Sequence, residues 1–125
     1  MDLNIISGQI VDAAMKVHSA LGPGLLESAY EACLVYELHK RGLKADQQVE
    51  FPVKYGTVNI NVGYRIDILV EDEVSVELKS VAEINPLHKA QLISYLKLNN
   101  KKLGLLINFN TVHLKDGIIR MVNGL

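Results

Sequence analysis

The sequence predicts an α/β domain in which helices flank a mixed β-sheet. Three patterns carry that expectation. Apolar residues recur at helical spacing through the first third of the chain. From Val49 they switch to the alternation of a strand. A helical stretch, "NPLHKAQLISYLKLNN", then separates two apolar strand-like runs, and strands joined through a helix are expected to lie parallel.

Ile6, Ile10, Ala13, Ala14 and Val17 mark one face of a first helix over Ile5–Leu21. "LGPG" at Leu21–Gly24 ends it, because proline and glycine favour a turn. Leu26, Tyr30, Cys33, Leu34 and Leu38 form the stripe of a second helix over Leu25–Arg41. Gly42 is a natural terminator, and Lys40 and Arg41 suit the negative end of the helix dipole. The alternation Val49, Phe51, Val53, Tyr55 predicts a strand, and Pro52, which cannot donate to a ladder, places it at an edge. "KYGTVNINVG" extends this strand through a turn at Gly56. A hairpin follows, with arms Arg65–Val70 and Val74–Lys79. Asn85 as cap and Pro86 at the first position open a helix to Leu98. "KLGLLINFN" has the continuous apolar character of a strand buried on both faces. The tail, "TVHLKDGIIRMV", predicts another hairpin turning at Asp116 and Gly117.

The 125 residues suit one domain, 1–125, with one core. A hydrophobic content of 49% against 22% charged excludes a disordered chain. The net charge of −1 argues against a charge-driven nucleic-acid coat, so phosphate binding would need a local patch or a metal. Cys33 is the sole cysteine, which rules out an intrachain disulfide and a cysteine zinc site and fits a reducing cytoplasm. "MDLNIISGQI" lacks the basic-then-apolar pattern of a secretory leader, and no stretch approaches the roughly 20 apolar residues of a membrane span. The expectation is a soluble cytoplasmic protein. Gly22 and Gly24 lack the context of a phosphate-cradling loop.

The hairpin carries the chemistry. With Glu71–Glu73 as its turn, Val70 pairs with Val74, Ile68 with Val76 and Ile66 with Leu78, giving one aliphatic face. The opposite face holds Arg65, Asp67, Leu69, Ser75, Glu77 and Lys79, with Asp67 across from Glu77. Like charges so placed cost roughly 0.2–1 kcal/mol in an ordinary sheet, and more where water is excluded. Two adjacent carboxylates suit a hard divalent cation, and a nearby lysine can stabilise a hydroxide or a phosphate oxygen. Asp67, Glu77 and Lys79 thus have the chemistry of metal-assisted phosphodiester hydrolysis. A solvated face of mixed charge is the other reading of the same residues.

Asp67, followed by "ELK" at Glu77–Lys79, resembles the PD-(D/E)XK nuclease signature, with Ile66 in place of the usual proline. "GLLESAY" at Gly24–Tyr30 is similar to the G-x-x-E-x-x-Y pattern of the GxxExxY family, which is grouped with that superfamily. "QLISY" at Gln91–Tyr95 resembles the Q-x-x-x-Y motif of its RecB-like and Cas4-like branch. The resemblance implies a minimal PD-(D/E)XK restriction-endonuclease-like core. It implies that Asp67 and Glu77 bind Mg²⁺ or Mn²⁺, joined by the Leu78 carbonyl and by Glu27. Lys79 would position or activate the attacking water, with Gln91 and Tyr95 orienting the group. DNA is the implied substrate. RNA is less favoured, since no RNA-binding module is recognisable. A non-catalytic binding or assembly protein that kept the fold is the rival. A chain this short would need a second copy or an accessory protein to embrace duplex DNA.

Other residues carry weaker expectations. Glu27 suits the first turn of a helix in any case, and Glu31 is a lesser candidate one turn on. Tyr30 is expected in the core. His88 is expected on the surface, and Lys89, Lys97, Lys101 and Lys102 would form either a basic rim or solvated charge.

Overall fold

In the computed structural model, which describes residues 1–125, Asp2 caps the first helix by accepting the Asn4 amide at 2.6 Å. This helix, α1 (Leu3–Leu21), buries Ile6, Ile10, Ala13, Ala14 and Val17, as the periodicity predicts. The second, α2 (Glu27–Lys40), buries Tyr30, Leu34, Val35 and Leu38. Beyond it the Leu43 amide closes back on the Leu38 carbonyl at 3.0 Å, and the chain enters β1 (Ala45–Tyr55). Next come β2 (Val58–Val70) and β3 (Val74–Lys79). Helix α3 (Pro86–Leu98) starts with a reciprocal cap in which Asn85 and His88 each bond the other's backbone amide. Strand β4 (Leu103–Asn108), a 3₁₀ turn (Leu114–Gly117) and β5 (Ile118–Val122) complete the chain.

The strands form one mixed sheet in the order β1-β2-β3-β4-β5. All neighbours run antiparallel except β3 and β4, which are parallel and joined through α3. Helices α1 and α2 cover one face, packing on Ile68, Val70, Val74, Val76, Leu103, Leu105 and Ile107. Helix α3 covers the other through Leu92 and Leu96 on Leu106. Gly104 permits this approach, because a Cβ there would meet Leu92 Cδ1 at 3.0 Å and Leu96 Cδ2 at 3.2 Å. Every residue of β4 is buried, as expected of a strand with helices on both sides.

Two expectations need correction. The stretch from Val58 does not stop before the Arg65 arm but runs into it as one strand of 13 residues, paired with the 11 residues of β1. The tail is not a hairpin. Residues 110–113 are held by other partners: the Asn108 side chain accepts the Asn110 amide, and His18 Nε2 meets the Thr111 carbonyl at 2.8 Å. Only β5 is strand, and it pairs with β4.

A methyl group on Gly117 would collide with the Asn108 backbone carbonyl, whereas one on Gly104 meets only leucine tips that can turn. Gly117→Ala is therefore expected to lower stability by about 1–3 kcal/mol, and Gly104→Ala by less, in urea titrations.

Candidate active site where a hairpin parts

Strands β2 and β3 pair regularly through Val70–Val74, Leu69–Ser75 and Ile68–Val76, and no further. Beyond that point backbone groups lose their ladder partners and must find others. Asp67 and Glu77 provide them. The Leu78 N–H donates to Asp67 Oδ2 at 2.9 Å, and the Asp67 N–H lies 3.4 Å from Glu77 Oε1. Each carboxyl group thus reaches across to the other strand's backbone, and the two acids are drawn together.

The parting also corrects the expected aliphatic face. Ile66 does not continue the face of Ile68 toward Leu78. It packs with Phe51, Leu69 and Tyr95, while Leu78 stays in the core beneath α1 and α2.

Glu77 is 6% exposed. Burial first, and then the charge of Asp67, push its carboxyl up to about 9, although the Asp67 amide and Lys79 pull the other way. Without a compensating cation Glu77 holds its proton at neutral pH. Lys79, half-buried, has its backbone carbonyl fixed by the Phe109 amide at 2.9 Å, and its ammonium joins no ion pair.

Glu27 is the first residue of α2, with Oε2 3.4 Å from the Ser80 amide. Ser80 Oγ also donates to the Leu25 carbonyl at 2.6 Å, so this loop is tied to the end of β3. Tyr30 sets the loop from within. Its ring is fully buried and stacked on Phe109 at 4.4 Å, and its hydroxyl donates to the Gly22 carbonyl at 2.6 Å while accepting the Leu25 amide. Gly24, at φ 93, supplies a left-handed turn that side chains rarely adopt. The spaced Gly, Glu and Tyr are therefore parts of one loop-to-helix clasp. The structure brings Asp67 and Glu77 together and carries Glu27 to Ser80. No group of three or more His, Cys, Asp or Glu side chains is gathered to hold an ion.

On the α3 side, Gln91 Nε2 donates to the Tyr95 hydroxyl at 3.1 Å. Tyr95 is raised above the usual phenol value by burial, then by the charges of Glu77, Tyr64 and Asp67, with the Gln91 hydrogen bond opposing. Tyr95 packs with Ile66 and Leu69, which lie on either side of Asp67 in β2, and so sets this pair beside the acids. His88 is used in the cap of α3, and Lys101 reaches the Asp72 carbonyl at the hairpin turn.

Gln48 and Glu31 join the same neighbourhood. The β1–β2 register, Gln47 with Ile68 and Val49 with Ile66, sets Gln48 opposite Asp67. Its Nε2 donates to Glu31 Oε1 at 2.7 Å and lies 3.4 Å from Asp67 Oδ1, while Gln47 holds the other oxygen of Glu31. Gln48 sits at φ 51 inside a strand, a conformation that costs on the order of 1–3 kcal/mol for a side-chain-bearing residue. Nothing in the local sequence announces this. Only the register between β1 and β2 reveals it.

The donor set fits a hard divalent cation. Two oxygen-bearing acids stand side by side, one of them held protonated by burial and by the charge of the other. A family model for the PD-(D/E)XK nuclease superfamily matches residues 4–121. No curated protein and no solved structure matches the chain. No helix is long and apolar enough to cross a membrane.

Folded Glu77 keeps its proton up to about 9, against an ordinary value of 4.5. Between those limits the folded state binds the extra proton, so its contribution to stability is full below about 4.5 and declines as pH rises. The decline is at most about 1.4 kcal/mol per pH unit. In EDTA, Glu77→Gln is expected to flatten the pH dependence of the urea midpoint between mildly acidic and alkaline buffer. Equal slopes in both proteins would refute the buried, protonated acid.

Proposed function

This chain belongs to the PD-(D/E)XK nuclease superfamily, and on that premise we propose that it hydrolyses DNA phosphodiester bonds with a divalent cation, Mg²⁺ or Mn²⁺. The observation that carries the reading is the Asp67–Glu77 pair, locked at the parting of β2 and β3, with the unpaired ammonium of Lys79 two residues beyond Glu77. Asp67, Glu77 and the Leu78 carbonyl would hold the cation, with Glu27 contributing from the start of α2. A bound cation supplies Lewis-acid polarisation of the phosphate. Lys79 orients the attacking water and offsets charge growing on the phosphate oxygens. Gln91 and Tyr95 fix the side of the site formed by α3. Residues 1–125 act as one domain in this reading, placed in the cytoplasm. The Gly24–Tyr30 and Gln91–Tyr95 patterns support a place in the GxxExxY family and the Q-x-x-x-Y branch in this reading.

A second reading has one observation in its favour. With no third acid gathered beside Asp67 and Glu77, the fold also suits a non-catalytic protein that binds nucleic acid or assembles with a partner. A second copy or an accessory protein would serve either role, because a net charge of −1 gives little steering toward DNA.

Cation binding separates the two. Wild type is expected to bind Mn²⁺ in calorimetry, with affinity rising as pH approaches 9 and Glu77 gives up its proton. The Asp67→Ala, Glu77→Ala protein is expected to lose that binding, and equal binding by both ends the enzymatic reading. Cleavage is then assayed on linear, nicked, branched and single-stranded DNA and on RNA, with Mg²⁺ or Mn²⁺. Lys79→Ala is expected to slow cleavage by roughly 100-fold or more while leaving Mn²⁺ affinity nearly unchanged.

A further inference from the structure

The ribbon formed by β1 and β2 extends beyond the sheet and carries an open aromatic ring to the border of the acids. Tyr64 is 44% exposed. Its ring lies 5.8 Å from Tyr95 and 6.0 Å from Phe51, and those two pack edge-on at 4.8 Å. Phe51 and Tyr95 are buried and form a fixed backing. Tyr95 and Phe51 pack with Ile66, the residue before Asp67, and with Leu69, so the three rings adjoin the strand segment that carries the acid. Along β2, Val62 and Ile60 continue the exposed apolar surface. The nearest guanidinium, on Arg65, is already bound to Glu50 at 2.9 Å.

A half-open ring held against buried rings is a rigid flat surface with little entropy to lose on binding. Beside a phosphodiester site, its ligand is the face of a nucleobase. Inside a duplex those faces are covered by neighbouring bases, so away from a duplex end only an unpaired base can use the platform. Stacking also supplies affinity that needs no basic coat, which this chain lacks at a net charge of −1. We propose that Tyr64 stacks on an unpaired base of single-stranded DNA whose phosphate lies at Asp67 and Glu77. This rests on the phosphodiester reading for the phosphate but not for the stacking itself.

The test is binding without cleavage. The full chain carrying Asp67→Asn and Glu77→Gln, in EDTA, is titrated against labelled oligo-dT and against a blunt duplex by fluorescence anisotropy. Adding Tyr64→Ala is expected to weaken oligo-dT binding roughly tenfold or more. Tyr64→Leu, which keeps apolar packing on Phe51 and Tyr95 but has no π-face, should weaken it similarly. Tyr64→Phe should bind as the parent does. Tyr55→Ala, at a site 78% exposed on the ribbon tip, should change nothing. Duplex binding should respond little. The proposal is overturned if the parent does not bind oligo-dT, if Tyr64→Leu binds it as the parent does, or if both ligands weaken equally. It is also overturned if the Tyr64 variants alter only sedimentation, for then the ribbon face covers a second copy. Because no cation or turnover enters the assay, a protein without nuclease activity would still pass it, and an active nuclease could still fail it.

Discussion

Two backbone N–H groups, those of Asp67 and Leu78, set the terms for the rest of the site. They stand where β2 and β3 cease to pair, and they are satisfied by carboxyl groups rather than by carbonyls of the facing strand. A buried amide left without a partner would cost about 1–3 kcal/mol. The fold therefore needs an acceptor on each strand at this point. Supplying it from acids places two carboxyl groups together on the side of the sheet toward α3, where burial and the neighbouring Asp67 keep Glu77 from ionising. Folding and site assembly are here the same event: the hairpin cannot close its open end without creating the electrostatic tension that a cation would relieve.

That tension is held from several sides. Burial keeps Glu77 protonated, and Lys79 moderates the effect without pairing to it. On the far side of β2, Gln48 accepts a left-handed backbone and directs its amide between Glu31 and Asp67. A strained residue in the middle of a strand is stable only where its surroundings overdetermine it. Here two glutamines grip the two oxygens of Glu31, which anchors β1 to α2 opposite Asp67. The cost of the strain is offset by contacts that also fix where Asp67 sits.

Much of this was legible in the sequence, and the exceptions share a cause. Helices α1, α2 and α3 follow from apolar spacing and caps, which are local properties. The turn at Glu71–Glu73 and the pairs up to Ile68–Val76 follow from alternation alone. The extrapolation fails one residue later. Alternation assumes an unbroken ladder, and the ladder breaks where Asp67 and Glu77 substitute for it, sending Ile66 to the opposite cluster. Gln48 goes unpredicted, and Glu31 stands only as a lesser candidate, because their relation to Asp67 depends on the β1–β2 register and on the approach of α2, both non-local. The tail failed as a hairpin because His18, distant in sequence, holds the Thr111 carbonyl, while the nearby Asn108 side chain holds the Asn110 amide.

A spaced pattern of residues need not be a ligand set, and the Gly24–Tyr30 stretch shows how the two roles divide. Tyr30 has no open atom to offer a substrate: its ring faces Phe109 and its hydroxyl is committed to Gly22 and Leu25. Gly24 serves backbone geometry. Of the three, Glu27 alone has a functional group at the surface, and it accepts a hydrogen bond from the Ser80 amide, directly after Lys79. The spacing of glycine, acid and tyrosine is thus what a clasp requires, since the tyrosine must sit one helical turn past the acid to reach back to the loop. What the clasp delivers is a carboxylate at the end of the strand that carries Glu77 and Lys79. The motif bears on chemistry through placement, with the tyrosine acting on the loop and the loop acting on Glu27.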